Sequence, residues 1–120
     1  MSETVLIVDD HPTFRSFAKA LLEEEGFEVV GESEDGASAV AAAQTLRPDV
    51  VLLDVQLPDF DGFEVAARLR VAGVPSSIVL VSSRDASDYG EDIVSSGAAG
   101  FVPKGELSGS AVRALLEGAA

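Results

Sequence analysis

The chain has 120 residues, 47% of them hydrophobic, and a formal net charge of −13. That length supports a single domain with one core, and the acidity argues against direct contact with nucleic-acid phosphates. With no cysteine there are no disulfides, thiol nucleophiles or cysteine-based metal sites.

No apolar run approaches the roughly 18 residues of a membrane span. The opening "MSETVLIVDD" has neither the basic region nor the apolar segment of a secretory signal. A cytoplasmic location without membrane contact is therefore expected.

In chain order, residues 5–8 form an apolar strand. Phe14, Phe17, Ala18, Leu21 and Leu22 then recur at helical spacing, with Pro12 suited to the first helical position and Gly26 to the stop. "FEVVGES" alternates only in part and reads as a strand near a sheet edge. Residues 36–46 are Ala-rich and helical up to Arg47 and Pro48. "DVVLLD" (49–54) is a second fully apolar strand, and "LPDFDG" is a loop. Residues 62–71 predict a helix with Val65 and Leu69 on one face, and "SIVLVSS" a further strand. Residues 85–96 predict a weak helix, because Asp, Ser and Gly90 are poor helix formers. "AAGFVP" is a short strand, and Leu107, Ala111, Ala114 and Leu115 mark a last helix.

Strands apolar on both faces and separated by helices indicate a parallel sheet covered on both sides. With right-handed crossovers the expected fold is α/β: a doubly wound, flavodoxin-like domain of five strands and five helices. Strand order 2-1-3-4-5 is one of the two common solutions. The domain is expected to fill residues 1–120, with no output domain in this chain.

Ligands in such sheets bind beyond the carboxyl ends of the strands. Asp9 and Asp10 follow the first strand, Asp54 ends the third, Ser82 and Ser83 end the fourth, and Lys104 follows the fifth. In the order 2-1-3-4-5 the first and third strands are neighbours, so three carboxylates meet in one crevice. Like charges raise one another's pKa, and a divalent cation with oxygen ligands, Mg²⁺ or Mn²⁺, resolves the conflict. Lysine and serine beside it suit a phosphate, and one carboxylate could act as the nucleophile to form an aspartyl phosphate.

"VLIVDDHP", "DVVLLDVQLPDFDG", "VLVSS" and "GFVPK" together resemble the motifs of a response-regulator receiver domain (CheY-like) of two-component signalling, over essentially the whole chain. "DDHP" followed by a phenylalanine is most similar to receivers of LuxR/NarL-type regulators. The resemblance implies Asp54 as phosphoacceptor, with Asp9, Asp10, Asp54 and the Gln56 backbone carbonyl as Mg²⁺ ligands. Capping of the first helix is compatible with the acidic pair's metal role. The resemblance further implies that Lys104 pairs with the phosphoryl group, that Ser82 is the switch hydroxyl and that Phe101 is the switch aromatic. A sensor histidine kinase is the implied donor. The weak fourth helix, with Gly90 and its Asp and Ser residues, suits a moving part, so the fourth helix, fifth strand and fifth helix are expected to form the output face, with a homodimer as an alternative use of the same face.

Four positions stand out against the common pattern. Gly105 stands where many members have proline after the lysine, so a more permissive loop without a cis peptide is expected. Ser82 replaces the commoner threonine, and Gln56 and Arg84 occupy positions that tune dephosphorylation in the family.

A Mg²⁺-dependent phosphatase with an aspartyl nucleophile fits less well. Its acidic pair is usually Asp-x-Asp with the nucleophile on the first strand, and no cap region is present. Neither a P-loop nor a dinucleotide fingerprint occurs. The reading is thus a phosphorylated signalling domain, not an enzyme acting on an external substrate. Residues 106–120 complete the last helix, so the chain is expected to be either a single-domain regulator or the receiver part of a longer one.

Overall fold

The strands are β1 (Thr4–Val8), β2 (Glu28–Ser33), β3 (Val50–Asp54), β4 (Ser77–Ser82) and β5 (Gly100–Pro103). They pair in parallel in the order β2-β1-β3-β4-β5, as expected from the alternation of apolar strands and helices. The structure is a computed structural model and describes residues 2–118. The helices are α1 (Pro12–Glu24), α2 (Gly36–Leu46), α3 (Gly62–Val71), α4 (Asp92–Ser95) and α5 (Gly109–Gly118), with 3₁₀ turns at Ala86–Asp88 and Lys104–Glu106. Among the described residues, no helix is long and apolar enough to cross a membrane.

Because strand side chains alternate between faces, the apolar runs feed two cores. Leu6, Val8, Val51, Leu53 and Leu80 pack against Ala39 and Ala43 of α2 and Val65 and Leu69 of α3. Val5, Ile7, Val50, Leu52, Val79 and Val81 pack against Ala18 and Leu22 of α1 and Val112 of α5. This two-sided burial is why the central strands read as unbroken hydrophobic segments. It also places the polar residues that follow them together at one edge.

The helix ends follow from local chemistry. Pro12 occupies the first turn of α1, and Gly26 takes φ +98° beyond its end. Asp35 and Asp61 cap α2 and α3 by accepting from the backbone N–H of Ser38 and Glu64, at 2.8 and 2.9 Å.

Two expectations are corrected. The helix expected over residues 85–96 is instead a 3₁₀ turn and the single turn α4, interrupted at Gly90 with φ +57°. Asp85 and Asp88 close the 3₁₀ turn reciprocally through a capping box. Short polar side chains that bond nearby backbone favour such turns over continued helix. The last helix begins at Gly109, so Leu107 precedes it, buried in extended backbone. Ser108 Oγ accepts from Ala111 N at 3.0 Å and starts the helix there.

Candidate functional site

Strand register assembles the site. Val8 is paired with Leu53, Asp54 with Val81, and Ser82 with Pro103. The residues continuing these rows, Asp9, Asp54 and Lys104, therefore converge at the carboxyl edge of the central strands. Asp9 is fully buried, and its backbone N–H donates to Ser33 O at 3.0 Å, tying the end of β1 to β2. Asp10 is half-buried, and Asp54 is only 2% exposed.

Lys104 Nζ lies 2.6 Å from Asp9 Oδ2 and donates to Asp54 Oδ2 at 3.3 Å, with the Phe14 ring 4.5 Å away. The contact with Asp9 is an ion pair off hydrogen-bond geometry, so that buried oxygen has no directed donor. Burial pushes the Asp54 carboxyl up and the Asp9 charge adds to it. Lys104 and the Gln56 N–H, which donates to Asp54 Oδ1 at 3.2 Å, oppose the rise, and the result is about 6. Burial also disfavours the Lys104 ammonium, but the close carboxylates of Asp9 and Asp54 outweigh it and hold that pKa above its usual range.

The acidic pair does not cap α1. The helix is preceded by His11, which makes no side-chain cap, and Asp9 Oδ1 accepts instead from His11 N at 2.8 Å. His11 Nδ1 lies 3.0 Å from Asp9 and 3.1 Å from Asp10. One donor atom each from Asp9, Asp10, His11 and Asp54 falls within 4.8 Å of the others. Asp9 Oδ2 and Asp10 Oδ1 are buried carboxylate oxygens without a hydrogen bond. Lys104 and His11 compensate these oxygens in charge but give them no directed donor, and an oxygen-dominated set of three carboxylates suits a hard ion such as Mg²⁺. The residues present therefore fit the metal that the sequence implies.

Ser82 is fully buried. Its Oγ accepts from Arg84 N at 3.1 Å and shares a 2.6 Å hydrogen bond with the Tyr89 hydroxyl. Phe101 is half-buried and packs against Tyr89, with ring centroids 5.7 Å apart. The Gln56 side chain is exposed, and only its backbone reaches the site.

Sequence reasoning assigned no role to His11, Arg15, Asp59 or Tyr89. Arg15 donates to Asp9 O at 2.6 Å and to Glu32 at 3.0 Å, bracing the end of β1. Asp59 accepts from Gly36 N at 2.7 Å and Ala37 N at 3.0 Å, joining the loop after β3 to the start of α2. His11 was adjacent to the acidic pair, which is a usable signal. The contacts of Arg15, Asp59 and Tyr89 depend on the turns between elements and had none.

Comparison with known proteins bears on the family and the fold. Residues 5–115 match the response regulator receiver domain family. BvgA of Bordetella pertussis, named as a positive transcription regulator of virulence factors, is 42% identical over 88% of this chain and 51% of its own length. The solved receiver domain of the response regulator NarL from Mycobacterium tuberculosis is 36% identical, with a TM-score of 0.88 over 98% of this chain and 96% of that one. A LuxR-family two-component response regulator from Aurantimonas sp. is 28% identical, with a TM-score of 0.88 over 98% of this chain and 87% of that one. The chain spans about half the length of the curated relatives it matches. A family match over nearly the whole chain, on a sheet of order β2-β1-β3-β4-β5, shows that the chain belongs to the response regulator receiver domain family.

Proposed function

We propose that the domain accepts a phosphoryl group on Asp54 from the phosphohistidine of a sensor histidine kinase and thereby changes conformation to control an output domain or partner. The observation that carries this reading is the buried Asp54 carboxylate at the end of a central strand, with Asp9 beside it and the Lys104 ammonium at 3.3 Å.

Asp9, Asp10, Asp54 and the Gln56 carbonyl would hold Mg²⁺ or Mn²⁺, which when bound neutralises the carboxylates and orients the phosphoryl oxygens. In the transfer an Asp54 carboxylate oxygen attacks phosphorus in line. The phosphorus–nitrogen bond breaks, and its electron pair leaves with the donor imidazole, which takes up a proton. The acyl phosphate adds roughly −1.5 to −2 charges. Lys104 is close enough to follow that charge, and Ser82 supplies a hydroxyl to the new oxygens.

The face formed by α4, β5 and α5 is the proposed output or homodimer face, and Val94 on α4 is 83% exposed there. Hydrogen exchange over residues 84–104 should change when a phosphoryl mimic binds, and identical protection would remove this assignment.

The test of the main reading is incubation with acetyl phosphate and Mg²⁺ followed by intact mass. Gain of one phosphoryl group, absent with a chelator and absent in Asp54→Asn, is the expected result. No gain with wild type, or a gain that survives Asp54→Asn, would overturn it.

A further inference from the structure

We propose that Tyr89 is a hydroxyl latch on Ser82. In the unphosphorylated domain its phenol holds the Ser82 hydroxyl, and phosphorylation of Asp54 draws that hydroxyl away and releases Tyr89 with the α4 segment. The proposal rests on the phosphoacceptor reading of Asp54.

Ser82 Oγ has one proton and two acceptor positions. Its partners are the Tyr89 hydroxyl at 2.6 Å and the Arg84 N–H at 3.1 Å, not Asp54 or Lys104. Serine hydroxyls occupy discrete staggered positions. In the proposed switch Oγ turns from one such position to another toward a phosphoryl oxygen and leaves Tyr89, whichever of the two is the donor. The hydroxyl therefore serves Tyr89 or the phosphoryl group, and the two uses compete. Phe101, the aromatic on β5, has no hydroxyl and cannot supply this link.

The surroundings make the contact consequential. The Tyr89 ring is wedged between Phe63 on α3 and Phe101 on β5, at centroid distances of 5.6 and 5.7 Å. It stands between the 3₁₀ turn and α4, each too short to be stable alone. Gly90 follows at φ +57°, with open space where a side chain would be. The segment's backbone hydrogen bonds, such as Tyr89 N to Ala86 O and Asp92 N to Tyr89 O, close local turns within it, so side-chain anchors such as this one hold it to the domain. Tyr89 is thus a positioning residue for Ser82, and the same bond couples the acidic edge to α4.

The chain has one tyrosine and no tryptophan, so phenol absorbance and fluorescence report Tyr89 alone. The probe is beryllofluoride with Mg²⁺, a mimic of the phosphoryl group. At saturation the tyrosine signal of wild type should change. By calorimetry, Tyr89→Phe, which keeps the ring, should bind the mimic about 2- to 10-fold more tightly, the range expected for freeing one neutral hydrogen bond. In a Ser82→Ala background the same substitution should make no difference. An unchanged tyrosine signal at saturation, no gain in Tyr89→Phe, or a gain that persists with Ser82→Ala would each overturn the latch while leaving the phosphoacceptor reading standing. Failure of wild type to bind beryllofluoride would overturn both.

Discussion

Lys104 Nζ lies 2.6 Å from Asp9 Oδ2, although Lys104 follows β5 and Asp9 follows β1, with β3 and β4 between them. The ammonium reaches across the sheet edge and meets Asp54 as well, at 3.3 Å. It therefore partly neutralises the same oxygens that a divalent cation would use. Like charges near one site repel by roughly 1 kcal/mol per unit pair at 4 Å even in water-like surroundings. Lys104→Gln should thus bind Mg²⁺ more tightly, by about fivefold or more, in calorimetric titration. The same variant should lose most of the conformational response to beryllofluoride. Weaker Mg²⁺ binding in Lys104→Gln would mean that the ammonium organises the acidic edge and does not compete for it.

The acidic edge also predicts how stability depends on pH without metal. The Asp54 carboxyl is raised from its ordinary value of 3.8 to about 6 in the folded protein, chiefly by burial and then by Asp9. Between these values the folded state binds more protons than the unfolded one. Stability is therefore fully present below about pH 4 and is lost as pH rises through about 6, by up to about 3 kcal/mol. Asp59 has the opposite sign. Desolvation raises its pKa, but the hydrogen bonds from Gly36, Ala37 and neighbouring backbone outweigh that and lower it. Its contribution is lost on acidification, below the window in which Asp54 acts. Urea unfolding from pH 4 to 7 with a chelator should show the decline. Asp54→Asn should remove it, and saturating Mg²⁺ should reverse it by favouring the ionised carboxylates.

Gly62 permits the close approach of α3 to the phosphoacceptor strand. A Cβ at this position would stand 2.5 Å from Asp54 O and 3.0 Å from Val55 Cα, both backbone atoms. The Gly62 N–H also donates to Val55 O at 2.8 Å. Gly62→Ala can be accommodated only by moving α3 or the end of β3, at a cost on the order of 1–3 kcal/mol. Phosphorylation by acetyl phosphate should fall with it. At Gly105 φ is not positive, and a Cβ would meet nothing within 4 Å. Gly105→Ala should change urea stability by less than about 0.5 kcal/mol. A neutral Gly62→Ala would show that the start of α3 yields more readily than its backbone contacts imply.

The sheet and its acidic edge were legible because they follow from runs along the chain. Residues 5–8 and 50–53 are apolar at every position, so both faces had to be covered, and the first polar residues after each run mark the strand end. The α4 region was legible only as weakness. Poor helix propensity signalled a fragile helix, but the choice of a 3₁₀ turn over a longer helix rests on the Asp85–Asp88 capping box and on Gly90 at positive φ. The Ser82–Tyr89 bond was not legible at all. The two lie seven positions apart in sequence, and only the course of the intervening turn decides whether they meet.

Asp59 belongs to that second, illegible class, and its position carries a last prediction. It lies in the loop that follows Asp54 and Gln56, yet its two carboxylate oxygens accept from Gly36 N and Ala37 N at the start of α2. A carboxylate at a helix N-terminus satisfies otherwise unpaired amides and complements the helix dipole. Here it also fixes the loop. Phe60, the next residue, covers Gly36 and stacks beneath Arg68 at 4.0 Å, so loop, α2 and α3 are held as one unit. Asp59→Ala should speed hydrogen exchange at the Gly36 and Ala37 amides and lower the melting temperature. It should also slow phosphorylation, because the Gln56 N–H that donates to Asp54 sits on the loosened loop. Asp59→Asn keeps a side-chain acceptor and should restore part of the amide protection. Unchanged exchange at both amides in Asp59→Ala would show that neighbouring contacts, not this carboxylate, hold the loop against α2.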